Sequence, residues 1–121
     1  MIPAILAVDD ERDLLATYER LLRRSGYQVI ASGTRHDGLA VIAREQLALV
    51  ISDLRLPDGD GLDIVHAARR APVPVPVIVV TGFASAASRL AALGAGAAAY
   101  LAKPFAASVL AALVERTVHG C

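Results

Sequence analysis

The sequence predicts an α/β domain in which five strands form one parallel sheet with helices on both faces. Three observations carry that reading. Short apolar runs alternate along the chain with longer stretches whose apolar residues recur at helical spacing. The short runs, such as Leu47–Ser52 (L-A-L-V-I-S), are apolar without interruption, which suits strands covered on both sides. The 121 residues fit one compact domain, and no internal repeat or low-complexity linker divides them, so residues 1–121 read as a single domain.

Ile2–Val8 is a run of strand length. Asp10–Ser25 carries Leu14, Leu15, Tyr18, Leu21 and Leu22 on one helical face, and Ser25-Gly26 closes it with a residue suited to left-handed backbone. Tyr27–Ala31 is the second strand. Thr34 is placed to cap a helix running to about Gln46, with Leu39, Ile42 and Ala43 inward. Leu47–Ser52 is the third strand, and Asp53–Asp60 reads as a loop from its L-P-D-G-D chemistry. Gly61–Arg70 is a short helix. Pro72, Pro74 and Pro76 stiffen the approach to strand Val77–Val80, with Pro76 at the tolerated first position. Ala84–Leu93 is an alanine-rich helix ended by Gly94. Ala97–Ala102 is assigned as a strand from context, because alanine prefers helix. Phe105–Val118 is the last helix, with Phe105, Val109, Leu110 and Leu113 on one face.

Hydrophobic residues make up 55% of the chain and charged residues 20%, a balance that supports a core and excludes a disordered chain. The formal net charge is zero, which argues against a nucleic-acid-binding surface over the domain and leaves a local basic patch open. The longest apolar run, around Val73–Val80, is too short for a membrane span of ~20 residues. The N-terminus lacks a basic region and runs into acid, so it does not read as a signal peptide. The single cysteine, Cys121, has no internal disulfide partner and reads as inert. The expectation is a cytoplasmic soluble domain.

Ligands of open parallel sheets bind at the carboxyl ends of the strands. Asp9-Asp10-Glu11 follow the first strand, Asp53 the third, Thr81 the fourth and Lys103 the fifth. Carboxylates, a hydroxyl and an ammonium therefore fall on one rim. Crowded carboxylates raise each other's pKa unless a cation relieves them. Magnesium takes oxygen ligands and keeps positions for water and phosphate, so the rim suits phosphoryl transfer. Lys103 is the only lysine against eleven arginines. A compact ammonium on a thin stem can reach a carboxylate beside a metal where a planar guanidinium fork is bulkier.

Four motifs, V-D-D-E (8–11), I-S-D-L-R-L-P-D-G-D-G (51–61), V-V-T-G (79–82) and Y-L-A-K-P-F (100–105), stand in order, each at a strand end. Together, over essentially the whole chain, they resemble the receiver domain of two-component response regulators. The resemblance implies a flavodoxin-like sheet of order 2-1-3-4-5 and a Lys103–Pro104 bond in cis. It implies that Asp53 accepts a phosphoryl group from the phosphohistidine of a sensor histidine kinase or phosphotransfer protein. Asp10 and Asp53 would bind Mg2+ directly, Asp9 through water, and the Arg55 carbonyl would complete the protein ligands. Thr81 would bond the phosphoryl group, and Lys103 would pair first with Asp53 and then with phosphoryl oxygens. Apart from its own phosphorylation and dephosphorylation, such a domain is not an enzyme. A homodimer on phosphorylation is among the implied partners; direct nucleic-acid binding and membrane binding are not.

Thr81 and Tyr100 resemble the family's switch pair: Thr81 swings to the phosphate, Tyr100 turns inward, and the face made by the fourth helix, fifth strand and fifth helix changes. Tyr100 also reads simply as a half-buried strand aromatic. Arg55 and Phe83, two residues after Asp53 and Thr81, are placed to cover the phosphoryl group and tune its lifetime. Gly82 either admits the phosphodonor or is an ordinary turn glycine. Asp58, Asp60 and Asp63 lack the frame of a calcium loop and read as turn-forming and capping acids. His36, His66 and His119 are not placed together, and Arg23-Arg24 and Arg69-Arg70 read as solvated helix ends favourable to the dipole.

Three other readings compete. A phosphatase of the haloacid dehalogenase type would carry a second aspartate two residues after its nucleophile, where this chain has Arg55, and would need more chain for a cap domain. A flavodoxin-like cofactor binder would want a hydroxyl- and glycine-rich loop where Asp9-Asp10-Glu11 would repel phosphate. A receiver fold serving as an unphosphorylated interaction module stays open. So does the parent protein: a single-domain regulator, or a receiver from a longer one such as a transcriptional regulator.

Overall fold

Five strands and five helices alternate through the chain, in a computed structural model that describes residues 4–120. The strands are β1 (Ala4–Val8), β2 (Gln28–Ser32), β3 (Leu49–Asp53), β6 (Val77–Thr81) and β7 (Ala99–Ala102). A short antiparallel pair, β4 (Arg55–Leu56) with β5 (Gly59–Asp60), stands apart from them. The helices are α1 (Arg12–Arg24), α2 (Arg35–Arg44), α3 (Leu62–Arg70), α4 (Ala86–Gly94) and α5 (Ala107–His119). The main sheet runs β2-β1-β3-β6-β7, all parallel, which is the expected order 2-1-3-4-5 once the short pair is set aside. Ile2 and Pro3 of the first predicted strand, and Cys121, lie outside the described residues.

Side chains alternate across a strand, so each buried strand feeds two cores. Leu6, Val8, Val50, Val77 and Val79 pack on one face with Val41, Ile42, Ile64, Val65 and Ala92 of α2, α3 and α4. Ile5, Ala7, Ile51, Ile78 and Val80 pack on the other with Tyr18, Leu22, Leu110 and Val114 of α1 and α5. All five residues of β3 and of β6 are buried, which is why these runs show no polar alternation. Each such aliphatic side chain contributes roughly 1.5–3 kcal/mol on burial.

Two helices, α2 and α4, start at capping side chains. Thr34 Oγ1 accepts from the Asp37 amide at 3.1 Å and Ser85 Oγ from the Ser88 amide at 3.0 Å. Gly26, at φ 93, takes the left-handed turn after α1. The alanine strand forms because β6 supplies its partner, with Ala99 to Ala102 in register with Ile78 to Thr81.

Three expectations need correction. The 53–60 segment is not purely loop, because Arg55–Leu56 and Gly59–Asp60 pair across the turn at Pro57-Asp58. Ala43 is exposed; Gly38 and Val41 face the sheet instead, and a Cβ on Gly38 would stand 3.0 Å from Val8 Cγ2. On α5 Val109 is 49% exposed while Val114 is buried, and Phe105 lies ahead of the helix. Phe105 stacks in parallel on Tyr18 with ring centroids 6.3 Å apart.

Tyr18 is fully buried, and its hydroxyl has no hydrogen-bond partner among the described residues. Burial first, and then the nearby charge of Asp9, raise its pKa, so the phenol stays protonated. An unpaired buried hydroxyl is costly, so Tyr18→Phe is expected to stabilise the chain by about 1 kcal/mol in urea unfolding. A loss of stability of that size would mean the hydroxyl is paired in solution.

Candidate functional site

Parallel strands end on one edge, so the residues following β1, β3, β6 and β7 meet there. The ladder continues past the strands: the Asp9 amide donates to the Ser32 carbonyl at 3.0 Å and the Lys103 amide to the Thr81 carbonyl at 2.8 Å. Asp53 is the last residue of β3, in register with Val80, which seats the acid one residue from Thr81 on the neighbouring strand. The Lys103–Pro104 peptide is cis, as expected.

Lys103 Nζ donates to Asp9 Oδ2 at 2.8 Å, Asp53 Oδ2 at 2.9 Å and Glu11 Oε1 at 3.0 Å. An ammonium has three N–H bonds, and all three are engaged. Burial opposes the charged ammonium, but the hydrogen bonds to Asp9, Asp53 and Glu11 outweigh it, and the Lys103 pKa is raised. The second oxygens of the two buried aspartates take backbone amides. Asp9 Oδ1 accepts from Glu11 N at 3.0 Å, and Asp53 Oδ1 from Arg55 N at 3.2 Å. Burial raises the Asp9 pKa despite the lowering pull of Lys103 and the Glu11 amide.

Asp10 is exposed at the mouth, beside buried Asp9 and Asp53, and one carboxylate oxygen from each of the three lies within 4.8 Å of the others. Hard oxygen donors this close repel one another when ionised, and a small divalent cation satisfies all three. The residues present therefore fit such an ion.

Thr81 is fully buried and its Oγ1 accepts from the Phe83 amide at 3.1 Å. Arg55 and Phe83 meet: the guanidinium carbon lies 4.0 Å from the ring centroid, a cation–π contact on the rim. Gly82 faces open space, with nothing within 4 Å of a built Cβ. Tyr100 is half-buried in β7, and its hydroxyl bonds the Ser88 hydroxyl and the Ser85 amide, the latter at 3.3 Å.

The acids of the 58–63 stretch cap and pair, and Asp58 does so across the molecule. Its two oxygens accept from Arg35 N at 2.7 Å and His36 N at 2.9 Å, at the start of α2. The His36 amide first, with the Arg35 amide, holds its carboxyl below the usual range. Asp60 Oδ1 accepts from the Leu62 amide at 2.8 Å, and Asp63 pairs with Arg35 Nε at 2.7 Å. The histidines stay apart on α2, α3 and α5, and His119 lies 3.3 Å from Glu115.

Sequence reasoning missed two residues. Glu11 stands in the sequence only as one more acid of the rim, directly after Asp9-Asp10, and the structure adds its ion pair with Lys103. Gly61 read only as the start of a helix, yet a Cβ there would stand 2.0 Å from the Asp53 carbonyl oxygen. Nothing local marks it among the glycines of L-P-D-G-D-G.

The family model described as the response regulator receiver domain matches residues 5–115. The transcriptional regulatory protein PrrA of Mycobacterium tuberculosis is 40% identical over 114 residues, covering 94% of this chain and 48% of its own length. The chain thus spans about half the length of that relative. The crystal structure of a CheY-like receiver domain protein from Methanospirillum hungatei superposes with a TM-score of 0.94 at 32% identity, covering 99% of this chain and 96% of that one. A response regulator protein from Burkholderia pseudomallei, solved with a phosphorylated aspartic acid, calcium ion and citrate, matches at TM-score 0.84 and 30% identity over 98% of this chain and 70% of that one.

Proposed function

The chain belongs to the response regulator receiver family, and from that premise we propose that it is a phosphorylation-activated switch of a two-component system, with Asp53 as phosphoacceptor. The observation that carries the reading is Lys103 Nζ held 2.9 Å from Asp53 in a pocket of three clustered aspartates. An Asp53 carboxylate oxygen attacks phosphorus of a phosphohistidine on a kinase or phosphotransfer protein. The P–O bond forms as the P–N bond breaks, and the imidazole leaves with the electron pair.

Asp10 and Asp53 would hold Mg2+ directly, Asp9 through water, with the Arg55 carbonyl beside them. Once bound, the ion neutralises charge on the phosphoryl oxygens. Lys103 turns an N–H from a carboxylate to a phosphoryl oxygen. Thr81 Oγ1 leaves the Phe83 amide and donates to another, and Tyr100 changes rotamer. The phosphorylated aspartic acid and calcium ion of the Burkholderia relative support this reading.

The output surface is α4–β7–α5, where Leu90 at 73% exposure and Val109 at 49% offer apolar contact for a second copy on phosphorylation. PrrA's name supports a transcriptional output carried by a longer parent, with residues 1–121 as its receiver domain. No helix among the described residues is long and apolar enough to cross a membrane, in keeping with a cytoplasmic setting.

Native mass spectrometry with Mg2+ and a small phosphodonor tests the reading. One phosphoryl group is expected on the wild type and none on Asp53→Asn. No uptake by the wild type would remove the phosphoacceptor role and leave an interaction module. The Arg55–Phe83 contact supports a cover over the acceptor, so Arg55→Ala and Phe83→Ala are each expected to shorten the phosphorylated lifetime several-fold. Decay of a radiolabel measures it, and an unchanged half-life would reduce both to rim residues.

A further inference from the structure

Residues 82–85, between β6 and α4, are tied at both ends by hydroxyls of the two switch residues. At the start, Thr81 Oγ1 accepts from the Phe83 amide at 3.1 Å. At the end, the Ser85 amide donates to Tyr100 Oη at 3.3 Å. Tyr100 is held there by Ser88, whose hydroxyl is bonded to the phenol. Ser88 is also the closing member of the α4 capping box, accepting from Ser85 N at 3.2 Å.

Each hydroxyl has one proton, and one arrangement satisfies every contact. Tyr100 donates to Ser88 Oγ, Ser88 donates to the Ser85 carbonyl at 3.2 Å, and the Ser85 N–H is shared by the two hydroxyl oxygens. A capping box usually closes with Glu or Gln. The serine here makes room at the same hydroxyl for a phenol from β7.

We propose that Ser88 is a positioning residue that latches Tyr100 against the N-terminus of α4 in the unphosphorylated chain. The 82–85 segment then shifts only when the ties at Thr81 and Tyr100 are both given up. When Thr81 Oγ1 turns to a phosphoryl group, it frees the Phe83 amide and loosens one end; the other end pulls on Tyr100 through the Ser85 amide. The latch rests on the switch reading above. Removing one neutral hydrogen bond raises the unlatched population about fivefold, and the apparent rate of phosphorylation follows the fraction of competent molecules.

The test compares wild type, Ser88→Ala, Ser85→Ala, Tyr100→Phe and Ser88→Ala/Tyr100→Phe. NMR of the Tyr100 ring reads rotamer populations without phosphate, and phosphoryl uptake from a small donor with Mg2+ reads the rate. Ser88→Ala is expected to raise the minor ring population and the uptake rate each about fivefold. Tyr100→Phe, which also loses the Ser85 amide tie, should raise the rate at least as much, and the double variant should add nothing beyond Tyr100→Phe. Ser85→Ala weakens the helix cap but keeps the Ser88–Tyr100 pair, so it should change neither readout. Unchanged ring populations in Ser88→Ala, or the same response from Ser85→Ala, would overturn the latch while uptake by the wild type upheld the switch. A freed ring in Ser88→Ala with no uptake by any variant would instead overturn the switch and, with it, the role given to the latch.

Discussion

Lys103→Ala is expected to lower stability at neutral pH by about 3 kcal/mol, the cost of breaking a buried ion pair by removing one partner. The change leaves Asp9 and Asp53 facing each other with no cation, Asp9 wholly buried and Asp53 nearly so. The sign with pH follows from Asp9. Its pKa in the fold is already above 3.8, so its contribution to stability is present below 3.8 and is lost as pH rises through the folded value. Without Lys103 the main lowering influence is gone, the folded value climbs, and the loss is larger. The deficit of the variant should therefore be small below pH 3.8 and full at neutral pH. Lys103 itself has a raised pKa, so its contribution is present below its ordinary 10.5 and fades only as pH rises through the higher folded value. Added magnesium should restore part of the lost stability by binding the folded state alone. Glu11→Gln, at an exposed partner, should cost no more than ~1 kcal/mol. Urea unfolding from pH 3 to 9 would decide it. A Lys103→Ala variant as stable as wild type at pH 7 would mean the ammonium does not balance these acids.

Gly61→Ala should disable the chain through packing alone. The backbone of Gly61, at φ −64 and ψ −16, suits any residue, so conformation is no objection. The objection is a Cβ 2.0 Å from the Asp53 carbonyl oxygen and 2.8 Å from Leu54 Cα. Both neighbours are main chain and cannot rotate away. The Gly61 amide also donates to the Leu54 carbonyl at 2.8 Å, binding the start of α3 to the residue that follows β3. Relief requires moving the residue that carries the acceptor carboxylate. A loss of about 3 kcal/mol, at the upper end for overpacking, is expected together with a fall in phosphoryl uptake. Gly82→Ala, with open space around its Cβ, should stay within ~0.5 kcal/mol of wild type. Equal stability and uptake in the two variants would refute the packing argument.

Much of the fold was legible because its signals are local. Apolar runs, the cap at Thr34, and turn residues such as Gly26 need only near neighbours in the chain. The errors fell where local signals are weak. Alanine occupies either face of a helix, so Ala43 was turned inward, while the inward place went to Gly38, fitted under Val8 and Ile64. Val109 fits the spacing of an inward face but lies just outside the stripe that Leu110 and Val114 bury. The β4–β5 pair is two residues a side, too short for any alternation.

For the site, sequence alone determined which residue types stand at each strand end: Asp9, Asp10, Asp53, Thr81 and Lys103. A parallel sheet brings its strand ends to one edge whatever the packing around it, so local order suffices for that much. Tertiary structure alone decided how they pair. Lys103 spends one donor on Glu11, and its contact with Asp9 spans 94 residues of chain. Asp58 caps α2 rather than its own helix, Gly61 leaves space for the Asp53 carbonyl, and Ser88 reaches Tyr100. These contacts join segments whose spacing along the chain carries no record of their distance in space. Only the packing of helices on the sheet, which sets their height and rotation, brings those atoms within reach.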